Sequence, residues 1–308
     1  MHMPEINAYF LDMMSAIEPE VAKITHRHIE GRDLWQPTEL IPENHPFPAL
    51  PPEILGMLVL NLLTEDGLPY FTNALCKHLG EDGAFVAWIK RWTAEENRHG
   101  DVIKRYLHGA ASREQMIDIE QAEFQYMENG FFPVFSNDPV QLFAYVVVQE
   151  KATQVSHAGI AKAAGKVDPA LQKLMGRVAS EESLHHLAYL GMFKALLAID
   201  PSHAIQSLYA VARRFAMPGQ NVTDFASLSK LQERLNVFGP KQLGQILQSV
   251  WNECQLGSLT GLSAAGDQAR AKFFQTIRTL EKIADRSATA KAGKIYLPFL
   301  GKDVFVIA

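Results

Sequence analysis

The chain has 308 residues and a formal net charge of -5, with 47% hydrophobic and 20% charged residues, the composition of an ordinary soluble globular protein. Its two cysteines, Cys76 and Cys254, exclude a disulfide scaffold or a cysteine-built zinc site. The negative charge and the lack of a basic–aromatic stripe exclude a nucleic-acid binder. No long apolar run offers membrane insertion, so a cytoplasmic location is expected.

Helical periodicity predicts a first helix over roughly 4–30, closed by "EGRD". A connector follows in which Pro37, Pro42, Pro46, Pro48, Pro51 and Pro52 argue against regular structure. Long helices are expected over about 52–79, 83–108, 112–128, 138–164 and 168–198, then shorter ones over about 202–215, 222–236, 239–256 and 264–285. The final "LPFLGKDVFVIA" reads as an extended tail. Such long helices suit an all-α bundle whose core helices are buried nearly all round. The expected organisation is one domain, 1–308. Residues 1–52 form the N-terminal helix and connector, 53–198 the bundle, 199–285 additional helices and 286–308 the tail.

Glu65 and Glu150 interrupt the most apolar segments, "ILGMLVLNLLT" and "LFAYVVVQ". A buried carboxylate must be paired, protonated or bound to a metal, unless each lies at the solvent edge of its helix. Glu96 and His99 in "TAEENRHG" lie three residues apart, on one helix face. A second such pair, Glu182 and His185, occurs in "VASEESLHHLAY". Glu96 and Glu182 follow their preceding single Glu by 31 and 32 residues, which fits two helix pairs related by an approximate two-fold. Two single Glu residues and two Glu-x-x-His pairs are the ligand set of a di-iron or di-manganese carboxylate site in a four-helix bundle. Carboxylates can bridge two metals and imidazole suits iron, and four Glu with two His leave positions open for dioxygen.

The sequence then resembles the soluble acyl-acyl-carrier-protein desaturase family, with a ferritin-like bundle. "WTAEENRHGD" (92–101), "LLTEDGLPYF" (62–71), "VVQEKATQVSHAGIA" (147–161), "LTGLSAAG" (259–266) and the Trp-Gln-Pro at 35–37 carry the likeness. The resemblance implies two iron ions held by Glu65, Glu96, His99, Glu150, Glu182 and His185, with O2 as co-substrate. It implies a role for Thr153 at the oxygen-binding face, and for Trp35 and Glu181 in the electron path; Trp35 could equally anchor the connector by packing. The implied activity places a cis double bond in a saturated fatty acyl thioester. A ferredoxin-type protein would donate electrons, an acyl carrier protein would present the substrate, and the chain would form a homodimer. Arg213, Arg214 and the basic section 267–308, which has eight Lys/Arg against four Asp/Glu, are candidates for docking the acidic carrier; a solvated tail is the alternative for that section.

Departures from the family pattern are local. "EESLHH" stands where the family has "DEKRHE", so Ser183-Leu184 replaces a basic pair and His186 replaces Glu. His186 should point about 100° from His185 and is read as a non-ligand. Lys77, His78 and Leu142 put charge or bulk where the family's acyl tunnel has uncharged or small residues, which implies a chain shorter than stearoyl or a double bond placed differently from the stearoyl type. Other dimetal oxidases (hydroxylase, N-oxygenase, decarboxylase) and a non-catalytic iron-binding bundle remain open from sequence.

Overall fold

The computed structural model describes residues 7–30, 32, 34–79, 82–130, 137–222, 224–287, 293–297 and 302–306. They form twelve α-helices, two short 3-10 turns and one two-stranded hairpin. The fold is a ferritin-like helical bundle with additional helices, as the periodicity and helix lengths imply.

Four helices carry the metal-type side chains: α3 (Pro52–Glu65), α5 (Gly83–Ala110), α7 (Pro139–Ala164) and α8 (Pro169–Ile199). α7 is buried on every face; residues 146 to 150 are all inside, which is why its sequence reads as a continuous apolar run. α7 and α8 form a long antiparallel pair, with α1 (Ala8–Ile29) laid across α5 and α8. α9 (Pro201–Arg214) packs on α7 and α8, with α12 (Ala264–Ser287) beyond it.

The helix starts share one local device. α7, α8 and α9 each begin with Asp-Pro, at Asp138, Asp168 and Asp200. The Asp carboxylate accepts from a first-turn amide (Val140 N 2.9 Å, Ala170 N 2.9 Å, His203 N 2.8 Å). The following Pro supplies the helical φ where no N–H is needed. Asp168 also accepts from Tyr106 Oη at 2.5 Å and His45 Nε2 at 2.7 Å, fastening the proline connector to the bundle.

Four expectations are corrected. The single helix over 52–79 is two, because α3 ends at Glu65 and α4 (Leu68–Leu79) restarts after a turn. Pro69 cannot donate to the carbonyl of Glu65 and disfavours helical geometry at Leu68. Gly67 is needed in the turn, since a Cβ there would meet Tyr126 Oη at 2.8 Å. The connector is not wholly irregular: Pro37–Leu40 forms one helical turn, α2, with Gln36 and Glu39 as a capping box. The helix over 222–236 is shorter than expected, α10 (Phe225–Arg234), and is preceded by a 3-10 turn, Pro218–Asn221. The tail is a hairpin rather than a lone extended segment. β1 (Gly293–Leu297) pairs antiparallel with β2 (Lys302–Val306), with Ile295 opposite Val304. Ile295, Leu297 and Val304 face inward; Lys294 and Tyr296 face out. Residues 298–301 lie outside the described residues.

Candidate metal centre

The Glu-x-x-His spacing places Glu96 with His99 on one face of α5, and Glu182 with His185 on one face of α8. Glu65, at the last turn of α3, and Glu150, mid-way along α7, point at the same volume. Glu150, Glu182, His99 and His185 are fully buried, and Glu65 and Glu96 nearly so. Two overlapping groups result: Glu65, Glu96, His99 and Glu182, and Glu96, Glu150, Glu182 and His185. Within each, one ligand atom from every residue lies within 4.8 Å of the others. Glu96 and Glu182 belong to both groups, and the other four residues divide into one Glu and one His per half.

The site's polar atoms test whether metals fit. Glu96 Oε1, Glu150 Oε2, Glu182 Oε1, His99 Nδ1 and His185 Nδ1 are buried without a well-aligned hydrogen bond, though each Nδ1 crowds a carboxylate oxygen. Orphaned atoms of this kind are costly unless a ligand satisfies them. His185 Nδ1 lies 2.6 Å from Glu96 Oε1, and His99 Nδ1 lies 3.1 Å from Glu182 Oε1, so both imidazoles turn their Nδ1 atoms inward. The charges agree. Burial, then the charge of Glu96, pushes Glu150 well above the usual carboxylate range. Burial likewise lifts Glu65 to about 7, although the hydrogen bond from His157 opposes it. Four carboxylates so close favour protonation or a bound cation, and a pair of divalent metals would supply the charge. The donor set fits two iron ions.

Both Nε2 atoms face outward onto carboxylates. His185 Nε2 donates to Glu95 Oε2 at 2.8 Å, and His99 Nε2 donates to Glu181 Oε2 at 3.1 Å. The motifs therefore read Glu-Glu-x-x-His twice, and the leading Glu of each orients the imidazole of the other. Burial opposes the charge of Glu181, but His99 and the cations around it prevail and hold it down to about 2. Trp35 Nε1 donates to Glu181 Oε2 at 3.0 Å; its ring lies parallel to that of His99, 6.3 Å away, under the Arg98 guanidinium. Thr153 Oγ1 donates to Glu182 Oε2 at 2.9 Å. His186 turns away, donating from Nδ1 to the Val147 carbonyl at 2.9 Å.

Several residues were not singled out from sequence. Trp92 Nε1 donates to Glu150 Oε1 at 3.1 Å. His157 donates from Nε2 to Glu65 Oε1 at 3.0 Å and accepts at Nδ1 from Asn61 at 2.8 Å. Glu95 had a visible signal, because it precedes Glu96 as Glu181 precedes Glu182. His157 lies one turn after Thr153 on the same face, a weaker signal.

A cavity of about 250 Å³ adjoins the centre. Glu65, Thr153 and His157 form its metal side, and Leu60, Met217 and Phe225 are among its apolar walls. The charge argument for a shortened tunnel is corrected: the Lys77 ammonium reaches Asn137 Oδ1 at 3.1 Å in an exposed pair, where it stays solvated. Leu142 is buried in the packed core. The His78 side chain lies outside the described residues. Among the described residues, no helix is long and apolar enough to cross a membrane.

A helical bundle with two Glu/His groups sharing two carboxylates defines a ferritin-like dimetal-carboxylate protein. The fatty acid desaturase family model matches residues 10–297. DesA1 of Mycobacterium tuberculosis, assigned by name as an acyl-[acyl-carrier-protein] desaturase, is 28% identical across 91% of this chain and 89% of its own length. The chloroplastic stearoyl-[acyl-carrier-protein] 9-desaturase 6 of Arabidopsis thaliana is 33% identical across 82% of this chain and 73% of that protein. The X-ray structure of DesA2 from Mycobacterium tuberculosis H37Rv shares the fold, with a TM-score of 0.63 and 18% identity over 84% of this chain and 99% of that one. The chain belongs to the fatty acid desaturase family and is an oxidoreductase.

Proposed function

We propose that the protein is an O2-dependent acyl-[acyl-carrier-protein] desaturase that places a cis double bond in a saturated fatty acyl chain. The observation that carries this is the pair of overlapping ligand groups whose unpartnered atoms sit beside a largely apolar cavity. Glu65 and His99 would hold one iron ion, Glu150 and His185 the other, and Glu96 and Glu182 would bridge them. When bound, the ions supply dioxygen activation. The acyl chain loses two hydrogens from adjacent carbons; with two electrons and two protons from outside, O2 leaves as two waters.

The chain's own residues supply position and protons. The cavity's apolar walls hold methylenes against the Glu65 side of the centre and exclude water. Thr153 lines the cavity with its hydroxyl in reach of both Glu182 Oε2 and the Glu150 carbonyl, so it holds a transferable proton beside the reacting bond. Trp35, Glu181 and His99 make a contiguous route for electrons from a ferredoxin-type donor. Arg213 and Arg214 are exposed at the end of α9, immediately before the cavity-lining Phe215, Ala216 and Met217. They suit an acidic carrier delivering its acyl group there. A homodimer and a cytoplasmic location complete the proposal.

Product analysis tests the reading. Purified protein, iron, a ferredoxin-type reductant and a series of acyl-carrier thioesters should yield an unsaturated chain two hydrogens lighter with no added oxygen. A product carrying an oxygen atom would make it a hydroxylase on the same scaffold, and oxidation of iron without any acyl product would make it a storage bundle.

A further inference from the structure

Beyond the ligand set, one side chain touches both outer carboxylates. Arg32 follows the end of α1 and is mostly buried. Its Nη1 donates to Glu95 Oε2 at 2.9 Å and its Nη2 to Glu181 Oε1 at 2.9 Å. Glu95 holds Nε2 of His185, and Glu181 holds Nε2 of His99. One planar guanidinium thus spans the two carboxylates that orient the two imidazoles. The other cations are one-sided: Arg91 Nε reaches Glu95 at 2.5 Å, and Arg98 Nη2 reaches Glu181 at 3.0 Å.

The surroundings reinforce this. His28, Glu95 and His185 bring ligand-type atoms within 4.8 Å, a trio that resembles a third metal position. Arg32 and Arg91 both reach Glu95 there, so guanidinium groups already provide the cation. Meanwhile Ser183 and Leu184 carry no charge beside Glu181-Glu182.

We propose that Arg32 is a positioning residue that couples the two halves of the metal centre, holding both ligand histidines at once through Glu95 and Glu181. The inference rests on the dimetal reading. Arg suits the task because its fork meets two acceptors in one plane; a lysine ammonium is a single point charge.

The test uses the full chain, first metal-free, reading the imidazole Nε2–H resonances of His99 and His185 by NMR. Arg32→Gln should shift both; Arg98→Gln should shift that of His99 and Arg91→Gln that of His185. Arg32→Lys should restore one and not the other. Cobalt(II) titration should then show Arg32→Gln binding both ions about 10- to 100-fold more weakly, the range for loss of an outer-shell partner. Removing a positive charge alone would favour a dication, so weaker binding is a signature of lost positioning. A shift at one histidine only, or cobalt affinity equal to or above that of the unaltered chain, would overturn the assignment. So would loss of the fold in both Arg32 variants, which would make Arg32 a packing residue. If the unaltered chain binds no cobalt, the dimetal reading fails, and the metal-free resonances still decide the role of Arg32.

Discussion

His185 on α8 donates to Glu95 on α5 at 2.8 Å, and Glu95 is the residue immediately before Glu96. α5 therefore supplies both a candidate metal ligand and the group that aims a candidate ligand from the opposite helix. The same exchange runs in reverse between Glu181 and His99. Each imidazole turns Nε2 outward onto a carboxylate and Nδ1 inward, the orientation in which Nδ1 would meet a metal.

Glu95→Gln tests that exchange. The amide can still accept from His185, but it loses the charge that Arg91 and Arg32 answer. Metal affinity on the His185 side should fall about 10- to 100-fold, read by iron or cobalt titration, with the His99 side affected less.

Trp92→Phe removes the indole N–H that Glu150 accepts while keeping the ring's bulk. The metal-free protein should lose about 1 kcal/mol, the typical net worth of one such bond, read by denaturant unfolding. Iron occupancy on the Glu150 side should fall before that on the Glu65 side.

Thr153→Val replaces a hydroxyl with a methyl in the cavity wall. Iron content should hold at the level of the unaltered chain, while turnover should drop by about 100-fold, the lower end of what a positioned proton donor contributes. Unchanged turnover would confine Thr153 to packing.

Asp168 predicts a pH effect far from the cavity. Burial works against its charge, but hydrogen bonds from Tyr106, the Ala170 amide and His45 outweigh it and hold its carboxyl below the usual range. A carboxylate depressed in the folded state stabilises above its unfolded pKa, and that contribution is lost as pH falls through the folded value. Asp168→Asn should therefore lower the melting temperature at pH 7, and the difference should shrink below about pH 4. Melts at pH 7 and pH 3 check this.

That these six residues gather could be read from the sequence because each Glu-x-x-His pair is local: three residues along a helix put Glu and His on one face whatever the tertiary fold. Glu65 and Glu150 stood out because a charge in an apolar run needs a reason. Arg32, His28 and His157 carried no such mark. Their roles arise where α1 crosses α5 and α8, or where α7 meets α3, and sequence spacing does not encode those crossings. Helix types and most boundaries followed from periodicity, whereas the break at Asp66-Gly67 depended on Pro69 and the approach of Tyr126. The hairpin was missed because each strand has only five residues, too few for the inward–outward alternation to stand out. Lys77 misled in the other direction: its place near the first ligand in sequence said nothing of the side chain's reach to Asn137.

The central claim is that two ligand groups share Glu96 and Glu182 and hold two metals together. Its most direct test is the metal stoichiometry of the purified chain after anaerobic loading with ferrous iron and removal of excess. The account predicts about two iron ions per chain, with an oxo-bridged ferric absorption after exposure to air. One iron or none, with the fold intact, would contradict it.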